Sequence, residues 1–209
     1  MKIKALLLLM LVPISLTCNE WLDNFTNLLG EDMFRGWRIE ARAACYNFKS
    51  NIMREIYGGE RWEPQIQLQK SLGCLPADFW LNVGYFRKRG GSLGLDQFTR
   101  IRIQPVSFGL NGVVPLNYWM KINLGIGAHY AHVNIFDDSP FVDRHTRKSS
   151  WGCILKSSVI YDVTNCVYFS VFADYLFQRF KNHGFENGVY KTNINIDGWK
   201  FGAGIGIKY

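Results

Sequence analysis

Read at alternate positions, the last eleven residues split into two faces. Trp199, Phe201, Ala203, Ile205, Ile207 and Tyr209 form one face; Lys200, Gly202, Gly204, Gly206 and Lys208 form the other. A period of two predicts a strand. Glycine weakens a strand, so three at alternate positions imply a close approach on that side. Similar alternation recurs upstream. Trp37, Ile39, Ala41, Ala43 and Cys45 alternate with Arg38, Glu40, Arg42 and Ala44. Trp62 to Leu68 and Phe79 to Tyr85 give a second and a third segment. In a fourth, Ile101 and Ile103 alternate with Arg100 and Arg102. The apolar phase then moves to Val106, Phe108 and Leu110, which predicts a bulge at Pro105, since proline cannot donate to a ladder. Met120 to Tyr130, Trp151 to Tyr161 and Val167 to Phe177 complete a set of eight with the closing strand.

Each segment is long enough to cross hydrocarbon at a slant. The connections after strands two, four and six are short, and those after one, three, five and seven are mostly longer. That is the pattern of short inner turns and long outer loops in outer-membrane barrels, which turn apolar side chains to lipid and polar or small ones inward. The expectation is an all-β chain, an eight-stranded antiparallel up-and-down transmembrane barrel over residues 35–209. A soluble eight-stranded barrel would carry the opposite sidedness, apolar within and polar without. Lumen glycines and charges fit that inversion poorly.

Composition changes this picture little. Apolar residues make up 48%, as a half-apolar strand set requires, and the 15% aromatic content suits interfacial girdles. Lys2 and Lys4 precede an apolar run from Ala5 to Val12 and small residues near Thr17, so residues 1–18 read as a secretory signal peptide. Cys18 also invites a lipoprotein reading. Residues 19–34 read as a periplasmic lead-in, helical from Trp21, Leu22, Phe25, Leu28 and Leu29 on one side. Asn24-Phe25-Thr26 fits a glycosylation sequon that only a eukaryotic route would use.

The chain resembles the small eight-stranded outer-membrane barrel superfamily that includes the OmpX, OmpW and opacity-protein groups. The resemblance spans about residues 35–209 and rests on strand count, alternation, loop pattern and terminus. Gly204, Ile207 and Tyr209 match the family's C-terminal assembly signal. Gly202 stands at its polar position, and Tyr replaces the commoner terminal Phe. The resemblance implies the bacterial outer membrane as location and the barrel-assembly machinery as a partner. It implies little chemistry, because these barrels differ in function.

The predicted inward face carries Arg38, Glu40, Arg42, Glu63, Arg100, Arg102, Lys121, Lys156, Asp174 and Lys200. A barrel of eight strands is just wide enough for side chains to fill, so these charges are expected to pair in a plugged lumen. The predicted outer ends carry Arg87, Lys88, Arg89, Arg144, Arg147, Lys148, Arg179 and Lys181, candidate contacts for lipopolysaccharide phosphates. Cys74 and Cys166 fall in inner turns, where oxidation could link them to envelope proteins. No spacing suggests a metal site or a cofactor, and nucleic acid is not an expected partner. His129, His132 and His145 form no readable set of nucleophile, base and orienting group. A structural or adhesive envelope protein is the leading expectation. A narrow conduit for hydrophobic molecules is the alternative, and a lipid A-modifying enzyme a third.

Overall fold

Alternation fixes which residues share a face, and hydrogen bonding between neighbouring ribbons then closes the ring. The structure is a computed structural model describing residues 36–58, 61–73, 75–91, 97–138, 144–180 and 194–209. The strands are β1 (Trp37–Phe48), β2 (Arg61–Ser71), β3 (Ala77–Gly84), β4 (Phe86–Gly91), β5 (Phe98–Pro115), β6 (Met120–Asp137), β7 (His145–Asp162), β8 (Val167–Phe177), β9 (Arg179–Phe180), β10 (Ile194–Asn195) and β11 (Gly198–Lys208). A short helix, α1 (Asn51–Tyr57), lies between β1 and β2. The expected signal peptide, the lead-in helix, Cys74 and Lys181 lie outside the described residues.

β3 and β4 are one stave of the barrel. Both pair with β5, Val83 opposite Val106 and Phe86 opposite Ile103, in a single register. The ladder lapses between them because Gly84 faces Pro105, which has no N–H, while the Tyr85 N–H donates instead to the Pro64 carbonyl at 3.1 Å. The cycle β1, β2, β3/β4, β5, β6, β7, β8, β11 closes on itself antiparallel, giving eight staves. At the seam the Gly36 N–H donates to the Tyr209 carbonyl and the Tyr209 N–H to the Trp37 carbonyl, at 2.8 and 2.9 Å. The turns are built by side chains that satisfy backbone donors. Asn117 Oδ1 accepts from Trp119 and Met120, and Thr164 Oγ1 from Cys166 and Val167.

The outward face carries Val106, Phe108, Leu110, Leu124, Ile126, Leu155, Val159, Val171, Phe201 and Ile205, all exposed. Arg42, Lys156, Asp174 and Lys200 point inward and are buried. From Trp199 to Tyr209 the apolar outer stripe rises about 25 Å at an ordinary strand tilt, the height of a hydrocarbon band. Aromatic pairs mark its outer edge: Tyr130 with Trp151 at 5.0 Å and Tyr175 with Trp199 at 4.7 Å.

Two expectations are corrected here. β5 has no bulge at Pro105: its pairing with β6 runs unbroken from Thr99 opposite Asp137 to Pro115 opposite Lys121. Ile101 and Ile103 therefore point inward and are buried, and Arg100 and Arg102 point outward. The phase never slips; the surroundings change. Above the aromatic edge the staves leave lipid, so their outer face turns mainly to arginine and other polar groups beside Phe98 and Phe136, and their inner face is mainly apolar. The expected polar loop from Asp137 to Ser149 is also shorter, since β6 and β7 stay paired up to Phe136 opposite His145.

The close approach implied by the C-terminal glycines is visible. A methyl group on Gly202 would overlap the Ala43 carbonyl and the Phe172 ring; on Gly206 it would overlap the Tyr168 ring. Replacing Gly202 with Val is expected to lower folding stability by about 1–3 kcal/mol through overpacking. The urea midpoint of the refolded barrel, followed by tryptophan fluorescence, checks this; an unchanged midpoint would contradict it.

Candidate functional site

The lower lumen is filled by charge. Arg42 reaches Asp174 at 3.1 Å, Glu40 at 3.5 Å and the Gln67 side-chain oxygen at 2.6 Å, and its guanidinium lies over Phe172 at 3.5 Å. Lys156 also bonds Gln67, lies 3.7 Å from Asp174 and sits over the Trp80 ring. Lys200 pairs with Glu63 at 2.8 Å, and Glu63 accepts from Gln65 at 2.8 Å. Tyr168 and Ser170 donate to Glu40. Nearer the inner end Arg38 pairs with Asp78, and Asp162 takes both Lys121 and Lys208, at 3.2 and 3.0 Å. Of the ten expected lumen charges, eight lie in this network, and Arg100 and Arg102 do not. Asp78, Asp162 and Lys208 join it although none was among the ten expected lumen charges.

The upper lumen is filled by an apolar plug. Tyr46, Phe48 and Phe86 pack with ring centroids 4.6 to 5.6 Å apart, beside Ile101, Ile103, Val133, Leu176, Phe180 and Ile196. α1 covers it from above. Ser50 caps the helix by accepting from Met53, and Gly58 ends it at φ 71°. Met53 and Tyr57 are buried in the plug and Ile56 packs against it. Burial raises the pKa of Tyr57. The signal for α1 was present in Ser50 and in the spacing of Met53, Ile56 and Tyr57.

The outer-end cations sort into several groups. Arg144 pairs with Asp138 at 3.2 Å, and Arg179 with Asp197 at 3.9 Å. Lys88 and Lys148 take the inward parity of their strands. Lys88 lies by Gly58, where burial and then Arg61 lower its pKa. Arg87, Arg89 and Arg147 share the outward face with Arg100 and Arg102. Arg87 stands opposite Arg102, and Arg89 opposite Arg100. Arg102 stands opposite Asn134, which stands opposite Arg147. An open depression of about 320 Å³ is lined there by Arg100, Arg102, Asn134, Phe136, His145 and Arg147.

His129 is inward and buried, with neither ring nitrogen hydrogen-bonded. His132 Nδ1 lies 2.8 Å from Ser149 Oγ on the outer face, a cross-strand pair to which no described carboxylate is bonded. His145 begins β7 and packs on Phe136. No group of His, Cys, Asp and Glu among the described residues could hold a metal.

No family model matches the sequence, and no curated protein matches it significantly. The fold has relatives among solved structures. Neisserial surface protein A is 18% identical, with a TM-score of 0.55 over 83% of this chain and 97% of its own. The outer membrane protein OprG from Pseudomonas aeruginosa is 15% identical, with a TM-score of 0.62 over 84% of this chain and 97% of its own. The chain has the fold of the small eight-stranded outer-membrane barrels.

If the lumen pairs hold the staves in place, Asp174→Asn is expected to cost about 3–5 kcal/mol, because Arg42 and Lys156 keep a buried excess charge. Adding Lys156→Gln restores the balance, so the double variant is expected to lose less than the two single losses together. Urea midpoints of the four proteins check the coupling, and strict additivity would contradict it.

Proposed function

We propose that this chain, folded as a small outer-membrane barrel, is a solid stave-built anchor in the bacterial outer membrane. It displays its outer end to the envelope surface in a structural or adhesive role. The observation that carries the reading is the filled lumen. Ion pairs occupy its lower part, an aromatic and aliphatic plug its upper part, and α1 seals the mouth. In this reading the side chains leave no continuous water column through an eight-stranded lumen. That arrangement argues against the narrow conduit for hydrophobic molecules.

Location rests on the exposed apolar band with its aromatic edge, a surface that water would not tolerate on a monomer. In this reading Gly204, Ile207 and Tyr209 at the closing seam present the signal to the barrel-assembly machinery. Outer-membrane lipid and lipopolysaccharide surround the band. Cys166, in an inner turn, and Cys74 are the positions available for linkage to envelope proteins. Lipid A acyl chemistry has less support, since the His132–Ser149 pair lacks an orienting acid among the described residues.

Reconstitution in planar bilayers tests the reading. The protein is expected to insert without stable single-channel steps, and reproducible steps of uniform conductance would overturn the solid-anchor account.

A further inference from the structure

Above the aromatic edge, β4 to β7 continue as a four-stranded sheet whose inner face packs on the plug and α1. Its outer face is a guanidinium ladder. Arg87, Arg102, Asn134 and Arg147 form one cross-strand row; Arg89, Arg100, Phe136 and His145 form the next. Like charges directly opposite one another in a sheet are destabilising. This chain places two such pairs side by side, and none of the five arginines forms an ion pair with a described residue. Elsewhere the pattern differs: the lumen charges, Arg144 and Arg179 all have carboxylates. The guanidinium of Arg100 lies 5.4 Å from the Phe98 ring centre and 6.0 Å from that of Phe136, and its buried Nε has no hydrogen-bond partner. Arg100 is thus packed between rings, and among the described residues the ladder has no carboxylate partner.

Depth identifies the missing partner. The row Arg102–Asn134–Arg147 lies four residues beyond Tyr130 and Trp151, about 14 Å along the strand and about 10 Å along the membrane normal at an ordinary tilt. A headgroup layer occupies about 5–8 Å outside the hydrocarbon. The guanidiniums of Arg87, Arg102 and Arg147 therefore come within side-chain reach of the outer edge of the lipid headgroups, and Arg89 and Arg100 stand about 5 Å higher along the normal. Planar guanidinium forks bind phosphate oxygens in pairs, as Lys does not, and all five cations here are Arg.

We propose that the outward face of β4–β7, with the depression between Arg100, Arg102 and Arg147, is a one-sided binding site for a multiply phosphorylated lipid headgroup of the outer leaflet. The inference deepens the membrane reading above and rests on it. It also narrows the sequence candidates, since Lys88, Lys148, Arg144 and Arg179 stand outside the ladder and Arg100 and Arg102 enter it.

The test uses the full chain refolded into phosphatidylcholine vesicles containing either bis-phosphorylated lipid A or the same lipid A enzymatically dephosphorylated. Its readout is the temperature at which the compact gel form is lost. The phosphorylated lipid is expected to raise that temperature and the dephosphorylated lipid to leave it unchanged. The double variant Arg102→Gln/Arg147→Gln is expected to need at least about tenfold more lipid A for the same rise, whereas Arg179→Gln behaves as wild type. In phosphatidylcholine alone Arg102→Gln is expected to be more stable than wild type, because the repulsion is relieved; a merely structural arginine would give the opposite sign. Equal responses to the two lipids, a full response in the Arg102/Arg147 variant, or an equal rise from inorganic phosphate would overturn the proposal. So would a response to a sulfated polysaccharide with none to lipid A. A chain that never gives a vesicle-inserted compact form overturns the membrane reading and this site together, whereas an inserted chain blind to lipid phosphate overturns this site alone.

Discussion

A strand's alternation cannot change phase without a bulge, but what lies on either side of it can change. That constraint organises the molecule. Along β5, odd residues point inward from Ile101 to Asn111 and even residues outward. In the membrane band the outward set is Val106, Phe108 and Leu110, and the inward set includes Ser107 and Asn111. Past Pro105 the same parity puts Arg102 and Arg100 outside and Ile103 and Ile101 inside. One ribbon thus behaves as a lipid-facing stave below and as half of a soluble sheet above. β6 and β7 follow the same rule, with Ile126 and Leu155 outside below, Asn134 and Arg147 outside above.

Each half solves its interior differently. In the lower half the outer face satisfies the lipid, so the interior is left to polar groups, and buried charge is tolerable only when paired and hydrogen-bonded. Arg42, placed between Asp174 and Glu40 and bonded to Gln67, is the centre of that solution. The glycines of β11 belong to it too, because Phe172 and Tyr168 lie across the positions their side chains would fill. In the upper half water wets the outside, and the interior gains stability from apolar burial and from aromatic pairs worth about 0.5–1.5 kcal/mol each beyond it. α1 supplies the residues that close that core, so the plug and the mouth's cover are one device.

Much of this was legible in the sequence, for physical reasons. Eight segments, their alternation and their outward apolar residues are local properties, and the period of two is strong. The lumen role of Glu40, Arg42, Asp174 and Lys200 follows from parity alone. The reading failed where it assumed that apolar always means outward. Ile101 and Ile103 then forced a bulge at Pro105 that the pairing does not contain, and Arg100 and Arg102 were moved to the lumen. The height of the membrane edge decides that case, and height is set by tilt and register, which no single strand encodes. α1 was missed because seven residues are a short sample of helical periodicity, and its apolar side has meaning only beside Phe86 and Val133. The arginine ladder was legible only in part: Arg87, Arg89 and Arg147 were placed at the outer end, but Arg100 and Arg102 were assigned to the lumen. Its rows exist only once the register across four successive strands is known.

Site-directed spin labelling in vesicles tests the change of sidedness most directly. Labels at Ile126, Val171 and Ile205 are predicted to collide readily with dissolved oxygen and rarely with a water-soluble nickel chelate. A label at Asn134, on the same face as Ile126 and eight residues along β6, is predicted to show the reverse. Chelate access at Ile126, Val171 and Ile205, or oxygen-dominated collisions continuing through Asn134, would contradict the account.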